Sequence, residues 1–105
     1  MLKLLDKEID GNDITELYRY EDTEYLELYL KHKHEDGGFM VRALSVNKRS
    51  YKVELYLIMN TKEAKGKWLI GERELEPELF GIWLENVRKI DKIDAFCKFV
   101  EMYFP

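Results

Sequence analysis

The sequence predicts an α+β domain: an antiparallel meander sheet of three to five strands with one or two C-terminal helices packed on one face. Three observations predict it. The first part of the chain alternates apolar and polar residues with period two. Beyond Gly71 the apolar residues recur at spacings of three and four. Between the alternating runs lie short polar or glycine-bearing segments that suit hairpin turns. The 105 residues suffice for one core and are too few for two, so residues 1–105 are expected to form a single domain.

Taken in order, residues 1–10 fit either an edge strand or a short helix. Residues 14–20 alternate loosely and end at a turn over Glu21, Asp22 and Thr23. Residues 25–34 alternate well: Leu26, Leu28 and Leu30 share one side, and Tyr25, Glu27, Tyr29 and Lys31 the other. Gly37 and Gly38 accept positive φ and suit the hairpin connection that follows. Residues 39–46 return with Met40, Leu44 and Val46 on one side, interrupted by Arg42. A polar turn over residues 47–50 leads to residues 51–59, where Val53, Leu55 and Leu57 share a face and Tyr51 falls with them. Residues 60–66 read as a polar loop and residues 67–70 as a short further strand. No repeat, low-complexity tract or linker interrupts the pattern.

Pro77 then suits the first turn of a helix, where its missing N–H costs nothing. Glu74, Glu76 and Glu78 surround that positive end of the helix dipole. Leu79, Trp83, Val87 and Ile90 form a stripe that Phe80 and Leu84 widen. Gly81 is unfavourable inside a helix and suggests the close approach of a neighbouring element. Asp91, with Asp94 three residues on, resembles the cap of a second helix carrying Ile93, Phe96, Cys97, Val100 and Phe104. Two helices are favoured over one continuous helix spanning 78–104. The leucine side of the strands and the Trp83/Phe96 stripe would then close one core.

Composition narrows the function classes. The net charge of −4 speaks against a dedicated duplex-DNA binder. Cys97 is the only cysteine, so no internal disulfide forms and a reducing, cytoplasmic setting is expected. The longest uncharged apolar stretch is the six residues 79–84, far below the roughly twenty that a membrane span needs. Charge is laid out in blocks: residues 1–24 carry −5, residues 31–71 carry +5 and residues 72–85 carry −4. Opposite-sign patches of this kind can steer a partner.

Candidate chemistry is sparse. His32 and His34 share a strand face and could offer two imidazoles to a metal, but a site needs further ligands, and Glu35, Asp36 or Cys97 would have to be brought in by the fold; a solvated hairpin end is the expected reading. Cys97 lies in an apolar helical stripe and reads as a buried structural thiol. The run Glu72, Glu74, Glu76 and Glu78 reads as a solvated face or helix start. No phosphate-cradling glycine loop or serine-nucleophile motif is present, and no catalytic residue, metal or cofactor is assigned.

The seven tyrosines are the most suggestive feature. Tyr25, Tyr29 and Tyr56 alternate with the leucines and interleave with Glu27 and Glu54. If helices cover only the leucine side, this side stays open, and tyrosine favours interfaces. The expectation is a small non-enzymatic protein-binding module, of inhibitor or immunity type by analogy of size and charge. It would act through Tyr25, Glu27, Tyr29, Glu54 and Tyr56. The alternative is a nucleic-acid-associated protein using the basic turns 47–52 and 62–67. A homodimer through a free strand edge or the tyrosine face is also compatible with the pattern; a membrane partner is not expected.

Overall fold

A computed structural model describes residues 1–105. The chain folds as a six-stranded antiparallel meander followed by two helices. The strands are β1 (Leu2–Asp10), β2 (Asp13–Glu21), β3 (Tyr25–Lys33), β4 (Phe39–Asn47), β5 (Lys52–Asn60) and β6 (Lys65–Glu74). The helices are α1 (Pro77–Arg88) and α2 (Ile93–Tyr103). Each strand pairs with its chain neighbours, in the order β1-β2-β3-β4-β5-β6.

The sheet is thus larger than the three to five strands expected. Residues 2–10 form an edge strand, not a helix, because they hydrogen-bond to β2 across a tight turn with Gly11 at φ 62. Glycine at the first central position, followed by Asn12 without a positive φ, suits a type II′ two-residue hairpin turn. At the other edge, β6 takes in the last two residues of the segment expected to be loop, Lys65 and Gly66, and runs well beyond Ile70 to Glu74. Its glycines are poor strand formers, but pairing with β5 from Lys65 to Glu74 overrides that local preference. Gly71 permits a close approach: a Cβ there would lie 2.5 Å from the Phe104 ring.

Both helices lie on the leucine side of the sheet. Leu17, Leu26, Leu28, Leu30, Leu44, Val46, Val53 and Leu55 are buried against Phe80, Val87, Ile90, Ile93, Phe96 and Val100. These form one cluster of 14 residues. Each of the well-patterned strands thereby places its apolar residues in the core, which is the main stabilising term. Arg42, the interruption in β4, faces the helices. Its guanidinium sits 5.9 Å from the centre of the Phe96 ring and donates to Cys97 Sγ at 3.4 Å. Cys97 is therefore a half-buried thiol facing a cation, not a fully buried one.

Several details of the helices depart from expectation. The buried stripe of α1 runs through Phe80 and Val87, with Trp83 and Leu84 partly buried, and Leu79 turns out to solvent at 55% exposure. Trp83 packs at the margin of the core, with ring centres 5.2 Å from Phe99 and 4.4 Å from Tyr103. Nothing lies within 4 Å of a Cβ built on Gly81, so no close neighbour explains that glycine. Asp91 does not cap α2. The Asp6 carboxylate of β1 accepts a hydrogen bond from the Ile93 backbone N–H at 2.9 Å and serves the helix start from across the fold. The chain breaks between the helices near Lys89 and Ile90, where an ion network anchors the end of α1. Arg88 meets Glu21 at 2.6 Å and Glu85 at 3.0 Å, and Lys48 meets the same Glu21 at 2.7 Å. No helix is long and apolar enough to cross a membrane.

Candidate functional site

The face of the sheet turned away from the helices is uncovered, and its residues follow from strand alternation. Three rows cross it in register. The central row is apolar or aromatic throughout: Leu4, Tyr18, Tyr29, Ala43, Tyr56 and Leu69, one from each strand. One flanking row holds Leu2, Tyr20, Glu27, Ser45, Glu54 and Glu72. The other holds Lys7, Glu16, Lys31, Val41, Ile58 and Lys67. A greasy stripe thus runs between an acidic rail and a largely basic one.

Period-two alternation passes over a tripeptide that builds this face. Glu-Leu-Tyr occurs at 16–18, 27–29 and 54–56. In each copy the leucine enters the core, at 0%, 0% and 3% exposure for Leu17, Leu28 and Leu55. The flanking Glu and Tyr emerge together on the open side, two residues apart, close enough for the phenol to reach the carboxylate. Tyr29 Oη donates to Glu27 Oε1 at 2.8 Å, and Tyr56 Oη donates to Glu54 Oε2 at 3.0 Å. Tyr18 stands beside Glu16 in the same relation, and burial together with that carboxylate raises its phenol pKa. Tyr20 reaches forward instead, donating to Asp22 Oδ2 at 2.7 Å. The rings are held along their strands, not left to rotate.

These bonds set the electrostatics. Burial, then the bond to Glu27, pushes the Tyr29 phenol far above its usual range. Burial and Glu16 raise Tyr18, and the bond to Glu54 raises Tyr56. All remain protonated donors at neutral pH. Glu27 is further engaged by Ser45 Oγ, which donates to Oε2 at 2.9 Å. Glu16 is buried at 5% exposure and is held below the usual carboxylate range, chiefly by Lys33 at 2.7 Å. Asp22 drops to about 2 because the Tyr25 backbone N–H, Tyr20 and the Glu24 backbone N–H all donate to it. That carboxylate therefore holds the β2–β3 turn at the rim of the face.

A concavity of about 700 Å³ opens on this face over β1 to β4. Tyr18, Tyr20, Tyr25, Tyr29 and Val41 form its walls and floor, with Glu27 and Lys31 on its two charged sides. Among the residues singled out from sequence, Tyr25, Glu27 and Tyr29 come together here. Glu54 and Tyr56 lie on the same face beside the concavity, where the Lys67 ammonium sits 4.3 Å above the Tyr56 ring. Tyr18 and Tyr20 belong to the concavity and escape sequence reasoning because β2 alternates weakly. The tripeptide at 16–18 is the signal that could have found the first of them.

The other candidates lie elsewhere. His32 points to the helix side, bonded to Thr15 Oγ1 at 3.0 Å, and burial lowers its pKa. His34 stands 3.8 Å from Asp13. No three His, Cys, Asp or Glu side chains cluster in a way that could hold a metal ion. Of the basic turns, Lys48 is taken up by Glu21, and Lys52 lies 3.9 and 3.8 Å from Glu72 and Glu74. Lys62 and Lys65 border a smaller polar cleft of about 210 Å³ between the β3–β4 turn and the β5–β6 loop. Compared with known proteins, the chain matches no family model, no curated protein and no solved structure.

Proposed function

We propose that this chain is a non-enzymatic protein-binding module, of inhibitor or immunity type, that holds a macromolecular partner against its uncovered sheet face. The observation that carries the reading is the tyrosine-walled concavity of about 700 Å³ between an acidic and a basic rail. Tyrosines already bonded to neighbouring carboxylates lose little freedom on binding, which favours affinity. A fitting partner inserts an apolar or aromatic side chain between Tyr18, Tyr20 and Tyr29. It presents basic groups to Glu27 and Glu54 and an acidic group to Lys31. The basic turns favour the nucleic-acid reading less, because Lys48 and Lys52 are already engaged within the chain.

The test is capture from a lysate by three immobilised proteins: the wild type, a Tyr20→Ala/Tyr29→Ala variant, and an Ile82→Ala control on the far side of α1. The wild type and control should retain the same protein and the double variant should lose it. Loss of about 1 kcal/mol or more per anchor is the scale for interface hot spots. Equal retention by all three would remove the face from consideration.

A further inference from the structure

We infer that β6 is a self-pairing edge, and that two copies of this chain join antiparallel through it into one continuous sheet. The inference is independent of what the tyrosine face binds. β6 bonds only to β5, so the N–H and C=O groups along its other side are free. It exposes three consecutive large apolar residues, Trp68 at 44%, Leu69 at 48% and Ile70 at 50%. Lysines flank them on one side, Lys65 and Lys67, and glutamates on the other, Glu72 and Glu74.

This order is complementary to its own reverse. A two-fold axis perpendicular to the sheet, passing between Leu69 and Ile70, sets Lys65 against Glu74 and Lys67 against Glu72 of the second copy. The same operation sets Trp68 against Gly71, where the Phe104 ring fills the space a side chain would take. In a regular strand such an axis would oppose residues that point to different faces, since alternation has period two. Here a bulge removes the conflict. Leu55 pairs with Gly71 and Tyr56 with Leu69, so Ile70 is the extra residue, and the alternation shifts by one at the axis. Lys67 and Glu72 consequently lie on the same open face, opposite Ile58 and Glu54 of β5, and Trp68 and Gly71 both lie on the helix side, opposite Leu57 and Leu55.

The other edge offers no such match. In β1 the extra residue is Leu5, and the corresponding axis, between Leu4 and Leu5, sets Leu2 against Lys7 on the open face and Lys3 against Asp6 on the helix side, where the Asp6 carboxylate is already bonded to the Ile93 N–H. Edge lysines and bulges ordinarily blunt strand pairing, but in β6 each lysine meets an acid of the second copy. Within one chain Glu72 and Glu74 find only Lys52, at 3.9 and 3.8 Å. The joined sheet keeps both open faces on the same side and runs the apolar row of one copy, ending at Leu69, into that of the other. An interface one strand deep is small, so the dimer is expected to dissociate on dilution.

Sedimentation velocity across a concentration series tests the inference. The wild type should shift from the 12.7 kDa monomer toward twice that mass as concentration rises. Lys67→Glu places acids against acids and Glu72→Lys places lysines against lysines. Each variant alone should weaken self-association by at least about tenfold. An equimolar mixture of the two variants should associate again, because every opposed pair then carries opposite charges, and a chain carrying both changes should self-associate like the wild type. A wild type that stays monomeric throughout would overturn the inference. So would a dimer that ignores both charge reversals, or a pair of variants that fails to recover on mixing while the chain carrying both changes remains folded and monomeric.

Discussion

The two faces of the sheet are made by the same strands and differ in almost every physical respect. On the helix side, Leu17, Leu28 and Leu55 are sealed under α1 and α2 and contribute by leaving water. One residue to either side of each, a glutamate and a tyrosine emerge on the open face, and around Leu28 and Leu55 the two are bonded to each other. The first face holds the fold together without directional contacts. The second is ordered by directional hydrogen bonds between surface side chains and is left uncovered, which is why it is the candidate for recognition. A single Glu-Leu-Tyr unit carries both roles in adjacent residues.

The contrast is sharpest if neighbouring residues are altered one at a time. Leu28→Ala should cost about 2–5 kcal/mol in chemical denaturation, because Leu28 is fully buried in the centre of the core. Tyr29→Phe, one residue along, removes only the bond to Glu27 and should cost about 1 kcal/mol. Equal losses would mean that the open face is also structural, and the distinction between the two would fail.

The helix side also holds the main pH sensitivity of the helical cover. Arg88 first, and Lys48 with it, draw the Glu21 carboxyl down from 4.5 to about 2. Glu21 is thus more acidic folded than unfolded, and its ion pairs contribute fully above about pH 4.5. That contribution fades as pH falls toward about 2. Stability measured against pH should decline over this window, and Glu21→Gln should flatten the decline while lowering stability at neutral pH. A slope unchanged by the substitution would place the acid sensitivity elsewhere, for instance at Glu16 or Asp22, whose carboxyls are also held low.

The smallest effect tests the outer surface of the covering layer. A Cβ on Gly81 would meet nothing within 4 Å, so Gly81→Ala should stabilise the protein by about 1 kcal/mol and raise its thermal midpoint. A loss of stability there would show that α1 is packed more closely than its exposed side suggests.

The strong alternation of β3 and β5 and the helical spacing after Pro77 are local properties, because a strand or helix that buries one side must repeat its apolar residues at the matching interval. These patterns alone determined the α+β class, the antiparallel meander, the C-terminal helices and the side on which Tyr25, Glu27, Tyr29, Glu54 and Tyr56 emerge. Tertiary structure decided what is non-local. β1 and β6 are strands because β2 and β5 offer them partners, whatever their own propensities. α2 starts where Asp6, 87 residues away in the chain, reaches its first N–H. Tyr18 and Tyr20 join Tyr25 and Tyr29 in one concavity because strand register sets them side by side. Periodicity reports which way a residue points, whereas what it meets depends on pairing and packing energies summed over distant parts of the chain.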